Sequence, residues 1–306
     1  MEIYLARTQG FCAGVKCAIE IVERALKKYG KPIYVYHEIV HNTFIIDDFK
    51  RRGVIFIENL EDVPEGSHII FSAHGVSPSV SKQTESKSLK VIDATCPLVK
   101  KVHNQAIRFS NNNTHVILIG HKKHQEVVGT SGYIQKDLLH IVEDEADVEK
   151  LDIDKHADVA YLTQTTLSVD DVKAITDKLK NKFPQCISIS QSDICYATQI
   201  RQDAVKELAR MVDIIIVCGS PSSSNSNRLR ETGERFGVLS IIIDRADELD
   251  MRILEGKTKV GITSGASVPS FIVEELIEKI CAQYPQTEIH SLESLEKSIN
   301  FPLPKI

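Results

Sequence analysis

The 306-residue sequence has no tryptophan, and aromatic residues make up only 6% of it. It also lacks a basic excess, because 42 acidic residues outnumber 37 Lys and Arg residues and give a net charge of −5. Nucleic-acid binding relies on basic patches and stacking rings, so this composition argues against that class. No apolar run reaches the roughly 18 residues of a membrane span, and MEIYLARTQGF at the start lacks the pattern of a signal peptide.

Several cysteine and glycine motifs are missing as well. The seven cysteines form no CxxC pair and no CxxCxxC run. Disulfide frameworks are typical of short secreted chains, so we expect reduced thiols and a cytoplasmic protein. Neither GxxxxGK[ST] nor a GxGxxG after a strand occurs, which argues against binding of a nucleoside triphosphate or a dinucleotide.

Short β-branched runs alternate with amphipathic helical stretches. The sequence predicts strands at 116–119, 214–217 and 241–243, and helices at 18–28, 169–181 and 201–211. This alternation is typical of the α/β class with mainly parallel sheet.

A repeat connects three of the cysteines. Each ends a strand-like run and opens a helix, in GFCAGV at Cys12, DATCPLV at Cys96 and SDICYATQ at Cys195. Two polar loops follow each cysteine, and each loop stands at the end of a predicted strand. These loops hold His41 and His74, then His124 and Thr165, then Ser223 and Ser267. The same order of elements occurs three times, which indicates three similar α/β units.

We place these units at residues 14–96, at 97–193, and at 1–13 together with 194–281, with a C-terminal arm over 282–306. In open parallel sheets, ligands bind beyond the carboxyl ends of the strands, where all the marked positions fall. If the units pack around a pseudo-threefold axis, these residues surround one central cavity. The closed arrangement is a hypothesis.

The repeated cysteines are candidate metal ligands, because the positive end of a helix lowers the pKa of a thiol. Three cysteines can hold an iron–sulfur cluster with one open iron, which can bind a substrate oxygen. A Cys₃ zinc site with a water remains an alternative. The other four cysteines are predicted to be small hydrophobic residues, at Cys17, Cys186, Cys218 and Cys281.

Neutral and cationic side chains dominate the polar loops, and helix N-termini favour anions, so a phosphate or diphosphate is the expected ligand. One residue of 222–226 is expected to serve as a helix cap. Glu126 is the only carboxylate in these loops. Two interpretations of it stay open: a first-turn helix acid, or a proton donor whose hydroxyl partners are Thr165 and Thr166. In an enclosed site its pKa should rise.

Together the motifs resemble those of the 4-hydroxy-3-methylbut-2-enyl diphosphate reductase family over roughly residues 1–283. The resemblance rests on GFCAGV, HNTF, SAHGVS, DATCPLV, HKKHQEVVGT, TQTTLSV, CYATQIRQ, SSSNSNRL and TSGASVP, which occur in the family's order. It implies a trefoil of three α/β units with one central [4Fe–4S] cluster per chain on Cys12, Cys96 and Cys195. It also implies reductive loss of an allylic hydroxyl, giving isopentenyl and dimethylallyl diphosphates in the last step of the non-mevalonate isoprenoid pathway.

The resemblance also implies roles for single residues. Glu126 would supply protons, and Thr165 would lie near the substrate hydroxyl. The diphosphate would be held by His41, His74, His124, Ser223, Ser224, Asn225 and Ser267. Electrons would come from an external donor such as a reduced ferredoxin or flavodoxin. The sequence departs from the family pattern at Cys17, Gln125 and Pro221–Ser222.

Two other functions would use the same residues. A non-redox [4Fe–4S] dehydratase or synthase of the quinolinate synthase type also has three units and three cysteines, but it needs no reductant. A metal-sensing module would use the cysteines and would have no need of anion-binding loops.

Overall fold

The computed structural model describes residues 1–188, 193–292, 299 and 301–304. The strands are β1 (Glu2–Leu5), β2 (Ile33–Tyr36), β3 (Val54–Ile57), β4 (His68–Phe71), β5 (Lys90–Asp93), β6 (His115–Ile119), β7 (Leu139–Val142), β8 (Val159–Thr163), β9 (Ile214–Cys218), β10 (Leu239–Ile243), β11 (Lys259–Ser264) and β12 (Glu288–Ser291). The helices are α1 (Ala13–Tyr29), α2 (Thr43–Arg51), α3 (Pro78–Ser86), α4 (Pro97–Asn111), α5 (Gln125–Ser131), α6 (Glu145–Glu149), α7 (Val169–Lys182), α8 (Tyr196–Leu208), α9 (Ser224–Arg235) and α10 (Ser270–Gln283).

The strands form three sheets, and every strand pairing in them is parallel. The sheet orders are β10-β9-β11-β1-β12, β3-β2-β4-β5 and β7-β6-β8. The predicted α/β class with parallel sheet is therefore confirmed. Across the described part of the chain, no helix combines the length and the apolar character needed to cross a membrane.

The chain divides into two compact bodies. The first consists of Met1–Lys16, His41–Ile45 and Tyr196–Asn300 and contains the five-stranded sheet. Strand β9, which lies between β10 and β11, is buried on both faces, since Ile214 and Ile216 belong to one hydrophobic cluster and Ile215 and Val217 to another. Burial on both faces explains the unbroken apolar run of this strand.

The second body consists of Cys17–Val40, Ile46–Cys195 and Phe301–Ile306, and it contains the four- and three-stranded sheets. Strand β6 repeats the pattern of β9. Ile117 and Ile119 belong to one cluster, while Val116 and Leu118 belong to another. The division of the chain at 14–96, 97–193 and 1–13 with 194–281 stays a prediction.

The segment predicted as a C-terminal arm contributes a strand that we did not predict. Strand β12 pairs in parallel with β1 at the edge of the five-stranded sheet. Glu288 and Ile289 are exposed there, so the segment lacks the apolar run that identifies a buried strand. Residues 301–304 form no regular element, because their two prolines lack a backbone donor and have a fixed φ.

Beside each sheet, one lysine side chain donates hydrogen bonds to several backbone carbonyls of a neighbouring turn or helix. Lys87 donates to the carbonyls of a 3₁₀ turn that follows β3, at 2.8 and 3.1 Å. Lys182 donates to three carbonyls in and after α6, which follows β7, at 2.7 to 3.0 Å. Lys279 donates to three carbonyls around the 3₁₀ turn after β10, at 2.9 to 3.0 Å. The repeated plan thus extends to individual hydrogen bonds.

Candidate active site

The predicted site residues follow neighbouring strands in each sheet. In the five-stranded sheet, Ser223, Ser267 and Cys12 come after β9, β11 and β1, which lie side by side. In the four-stranded sheet, His41, His74 and Cys96 come after the neighbouring strands β2, β4 and β5.

The three-stranded sheet repeats this order. His124 and Thr165 follow the neighbouring strands β6 and β8. Cys195 follows Ile187, which forms a parallel bridge to Ala160 of β8. The three cysteines immediately precede the first residues of α1, α4 and α8, so the predicted helix starts are confirmed.

Glu126 is buried in the second body and is bound by Thr165. Its side chain is 2% exposed. The backbone amide of Thr165 donates to Oε1 at 2.6 Å, and the Thr165 hydroxyl donates to Oε2 at 2.8 Å. The predicted hydroxyl partnership is confirmed for Thr165, whereas the Thr166 hydroxyl accepts a hydrogen bond from Gln164.

Burial raises the pKa of Glu126 to about 7, and the negative charge of Asp193 also raises it. The two hydrogen bonds from Thr165 act against this rise because they stabilise the carboxylate. The predicted direction is thus confirmed. A carboxyl group with this pKa carries a proton for much of the time at neutral pH, so it can act as a general acid.

One histidine contacts Glu126, and a second histidine contacts the first. His124 is the N-cap of α5, and its Nδ1 accepts a hydrogen bond from the amide of Glu126 at 3.2 Å. That hydrogen bond requires Nδ1 to be unprotonated. The ring of His74 meets the ring of His124 edge-on, with centroids 5.9 Å apart. The second body therefore brings His74, His124, Glu126 and Thr165 together.

Backbone hydrogen bonds link two of the cysteines to this group. The amide of Cys195 donates to the carbonyl of Thr165 at 2.9 Å. The amide of Cys96 donates to the carbonyl of Ala73, the residue before His74, at 3.0 Å. Both cysteines are half-buried.

In the first body, Asn225 has an unused donor. The residue is 5% exposed, and its side-chain nitrogen has no hydrogen-bond partner among the described residues. Its Oδ1 accepts from the Thr198 hydroxyl at 3.4 Å. A Cβ on Gly265 would lie 3.6 Å from that nitrogen but only 2.2 Å from the Ser226 hydroxyl oxygen, so this position requires glycine. A ligand oxygen would satisfy the Asn225 donor.

The other polar residues of this body have mixed roles. Ser223 is the N-cap of α9 and accepts from the amide of Ser226 at 3.3 Å, as expected for one residue of this run. Ser224 is the first residue of the same helix. The Ser267 hydroxyl donates to the carbonyl of His41 at 2.9 Å, which holds these two loops together.

Cys12 lies beside the loop of Ser267. Its amide donates to the carbonyl of Ala266 at 3.0 Å. The amide of Val15 in turn donates to Cys12 Sγ at 3.5 Å. Hydrogen bonds to sulfur are a feature of iron–sulfur ligands, so the chemistry of Cys12 fits a cluster.

Three of the other cysteines are less suited to ligation. Burial raises the pKa of Cys17, raises that of Cys186 to about 11, and raises that of Cys218 to about 12. Metal ligation needs the thiolate. Within the residues that the structure describes, no three His, Cys, Asp or Glu side chains form a group that could hold a metal ion. A site shared by Cys12, Cys96 and Cys195 stays a prediction.

Sequence analysis missed two buried residues in these groups. Asp193 is 7% exposed and accepts a hydrogen bond from the amide of Thr163 at 3.4 Å. Its position two residues before Cys195 was the available signal. Thr198, 1% exposed, lies in the first turn of α8 and contacts Asn225. Nothing in the sequence connects that threonine with a loop 27 residues away.

The chain belongs to the LytB protein family, whose model matches residues 3–281. A 4-hydroxy-3-methylbut-2-enyl diphosphate reductase of Acinetobacter baylyi is 49% identical over 100% of this chain and 97% of its own length. A reductase of the same name from a Polaromonas species is 50% identical over 99% of this chain and 91% of its own length.

Two solved structures of reductases also match this chain. The E-1-hydroxy-2-methyl-but-2-enyl-4-diphosphate reductase of Plasmodium falciparum matches with a TM-score of 0.96 and 40% identity, over 99% of this chain and 95% of that one. A second structure, of an (E)-4-hydroxy-3-methyl-but-2-enyl diphosphate reductase described as the terminal enzyme of the non-mevalonate pathway, matches with a TM-score of 0.65 and 33% identity. The predicted family and reductase activity are thereby confirmed.

Proposed function

We propose that this chain converts (E)-4-hydroxy-3-methylbut-2-enyl diphosphate to isopentenyl and dimethylallyl diphosphates. Two electrons and two protons enter, the allylic C–O bond breaks, one proton leaves with the oxygen as water, and the other is added to carbon. The observation that carries the proposal is the buried Glu126 with a pKa of about 7, held by Thr165 next to the backbone of Cys195.

Cys12, Cys96 and Cys195 would hold one [4Fe–4S] cluster per chain. Their equivalent positions before three helices and the amide hydrogen bond to Cys12 Sγ support this assignment. When bound, the cluster would supply single-electron transfer and Lewis acidity.

Glu126 would hold the proton that leaves with the hydroxyl oxygen. Hydroxide is a poor leaving group, and a general acid contributes about 10²- to 10⁴-fold in rate. Thr165 fixes both carboxyl oxygens and so sets the direction in which the acid can donate.

The diphosphate would be bound by neutral and cationic donors from the strand-end loops. Asn225 supplies a buried donor with no described partner. The other members of the set are His41, His74, His124, Ser223, Ser224 and Ser267. Electrons would be delivered by a reduced ferredoxin or flavodoxin.

The test is turnover by anaerobically purified holoenzyme with reduced methyl viologen as the electron source. We expect both isopentenyl and dimethylallyl diphosphates, with two electrons consumed for each product molecule. Turnover without any reductant would overturn the proposal and favour a dehydratase of the quinolinate synthase type.

The cluster assignment is tested by iron and sulfide analysis of cysteine variants. Cys12→Ser, Cys96→Ser and Cys195→Ser should each lose most of the iron and the activity. Cys186→Ser is the matched control, because burial disfavours its thiolate, and it should keep iron near the wild-type content. Full iron in Cys195→Ser, or loss of iron in the control, would contradict the assignment.

A further inference from the structure

The exposed face of α4 is a basic surface that begins at a cysteine. The helix starts directly after Cys96 and contains no Asp or Glu. Its cations are Lys100, Lys101 and Arg108, all exposed. The chain as a whole carries a net charge of −5, so this concentration of positive charge runs against the overall balance.

Carboxylates neutralise only part of this face. Lys100 pairs with Asp93 at 2.6 Å. Lys101 lies 3.9 Å from the buried Asp193, and no described carboxylate pairs with Arg108. Lys101 and Arg108 are seven residues apart, so they lie on the same side of the helix.

The face is also shaped for contact. Pro97, Gln105 and the cations line a shallow depression of about 440 Å³. Ile107 is 37% exposed on the same helix and offers an apolar contact. Transient redox complexes have small interfaces and rely on complementary charge. A positively charged depression with an apolar residue beside it suits an acidic redox protein.

The distance to Cys96 is short. Lys100 and Lys101 lie four and five residues after it, which is about 6–8 Å along a helix axis. Cys96 itself is half-buried, and its carbonyl accepts from the amide of Lys100 at 3.0 Å. A partner seated here would therefore lie close to a proposed cluster ligand.

We propose that an acidic one-electron carrier protein docks on the exposed face of α4, with Lys101 and Arg108 as its main charged contacts. This inference rests on the proposed function, which requires an external electron donor. Reversing the charge of these residues should slow association, because complementary fields raise association rates.

The test compares two electron donors on the same holoenzyme: a reduced acidic [2Fe–2S] ferredoxin and reduced methyl viologen. The variant Lys101→Glu/Arg108→Glu should lower kcat/KM for ferredoxin by about tenfold or more at low ionic strength. Its rate with methyl viologen should change much less. The single variant Arg108→Glu, which leaves the Lys101–Asp193 pair intact, should keep the wild-type rate with that donor. Lys101→Gln/Arg108→Gln should give an intermediate loss. Added salt should reduce the wild-type rate with ferredoxin more than that of the charge-reversed variant.

The matched control is Lys27→Glu/Lys180→Glu, which makes the same change of charge in the last turns of α1 and α7. An equal loss in the control, no loss in the α4 variants, or an equal loss with both donors would overturn the docking face. Failure of the proposed function is distinct, since the wild type would then give no products even with methyl viologen.

Discussion

Thr165 binds both oxygens of Glu126, one through its backbone amide at 2.6 Å and the other through its hydroxyl at 2.8 Å. Both hydrogen bonds favour the ionised carboxylate, whereas burial and the charge of Asp193 favour the neutral acid. Burial prevails, since the pKa rises to about 7. The residue predicted to lie near the substrate hydroxyl therefore also limits how weak an acid Glu126 becomes.

The first prediction concerns the pH dependence of turnover. In the wild type, kcat should fall as the pH rises through about 7, because Glu126 loses its proton there. Glu126→Gln should lower kcat by about 10²- to 10⁴-fold and remove that decline. The measurement is kcat against pH with methyl viologen as the donor. Glu145→Gln, an exposed first-turn acid of α6, is the control. A wild-type kcat in Glu126→Gln would contradict the proton-donor role and favour the interpretation of Glu126 as a first-turn helix acid.

The second prediction concerns stability. The folded-state pKa of Glu126 lies above its ordinary value of 4.5. Its favourable contribution is therefore fully present below about pH 4.5 and is lost as the pH rises through about 7. The loss is on the order of 3 kcal/mol. Glu126→Gln should avoid it, so the Tm of the variant relative to wild type should rise between pH 5 and pH 8. An unchanged difference would show that the pKa of Glu126 is the same in the folded and the unfolded chain.

The third prediction concerns the diphosphate. A hydrogen bond to a charged group is worth about 1.5–3 kcal/mol, so Asn225→Ala should raise KM by roughly one to two orders of magnitude while the iron content persists. Asn227→Ala is the contrast, because that amide already donates to the carbonyls of Pro221 and Ser223. It should lower Tm and leave KM near wild type. Inorganic diphosphate should compete with substrate, and an unchanged KM in Asn225→Ala would contradict the anion site.

The fourth prediction concerns the loop of His74. Gly75 has φ of +77°, and an added Cβ would lie 2.6 Å from Cε1 of His103. Gly75→Ala should cost about 1–2 kcal/mol for the left-handed backbone and about 1–3 kcal/mol for the overlap. It should also displace His74 and raise KM. Gly66→Ala is the matched control, with φ of +74° and nothing within 4 Å.

The overlap can be isolated by a double variant. Adding His103→Ala to Gly75→Ala removes the ring and should restore part of the lost Tm, which a double-mutant cycle measures. Simple addition of the two losses would show that the overlap is relieved in another way.

Sequence patterns predicted the parts of the fold that depend on local composition. The run at 214–217 marked a strand, and each repeated cysteine marked a helix start. The partnership of Thr165 with Glu126 followed from their chemistry and their place in the repeat. The direction of the pKa shift followed from expected burial, although the contribution of Asp193 did not.

Other features depend on tertiary packing and left no signal in the sequence. Strand β12 is largely exposed and lacks an apolar run. The contact of His103 with Gly75 joins positions that have no shared pattern. The hydrogen bonds from Lys87, Lys182 and Lys279 to backbone carbonyls depend on where distant turns lie in the fold, which the sequence does not show.

Equivalent strand ends carry different side chains in the three sheets. In the four-stranded sheet, the two strand ends are followed by His41 and His74. The corresponding residues are His124 and Thr165 in the three-stranded sheet and Ser223 and Ser267 in the five-stranded sheet. A homotrimer of one such unit would have to place the same residue three times, because one gene would encode every copy. A single polypeptide is free of that symmetry. It can keep cysteine at all three equivalent positions and still vary every other position independently, so the carboxyl group of Glu126, our proposed proton donor, occurs once instead of three times.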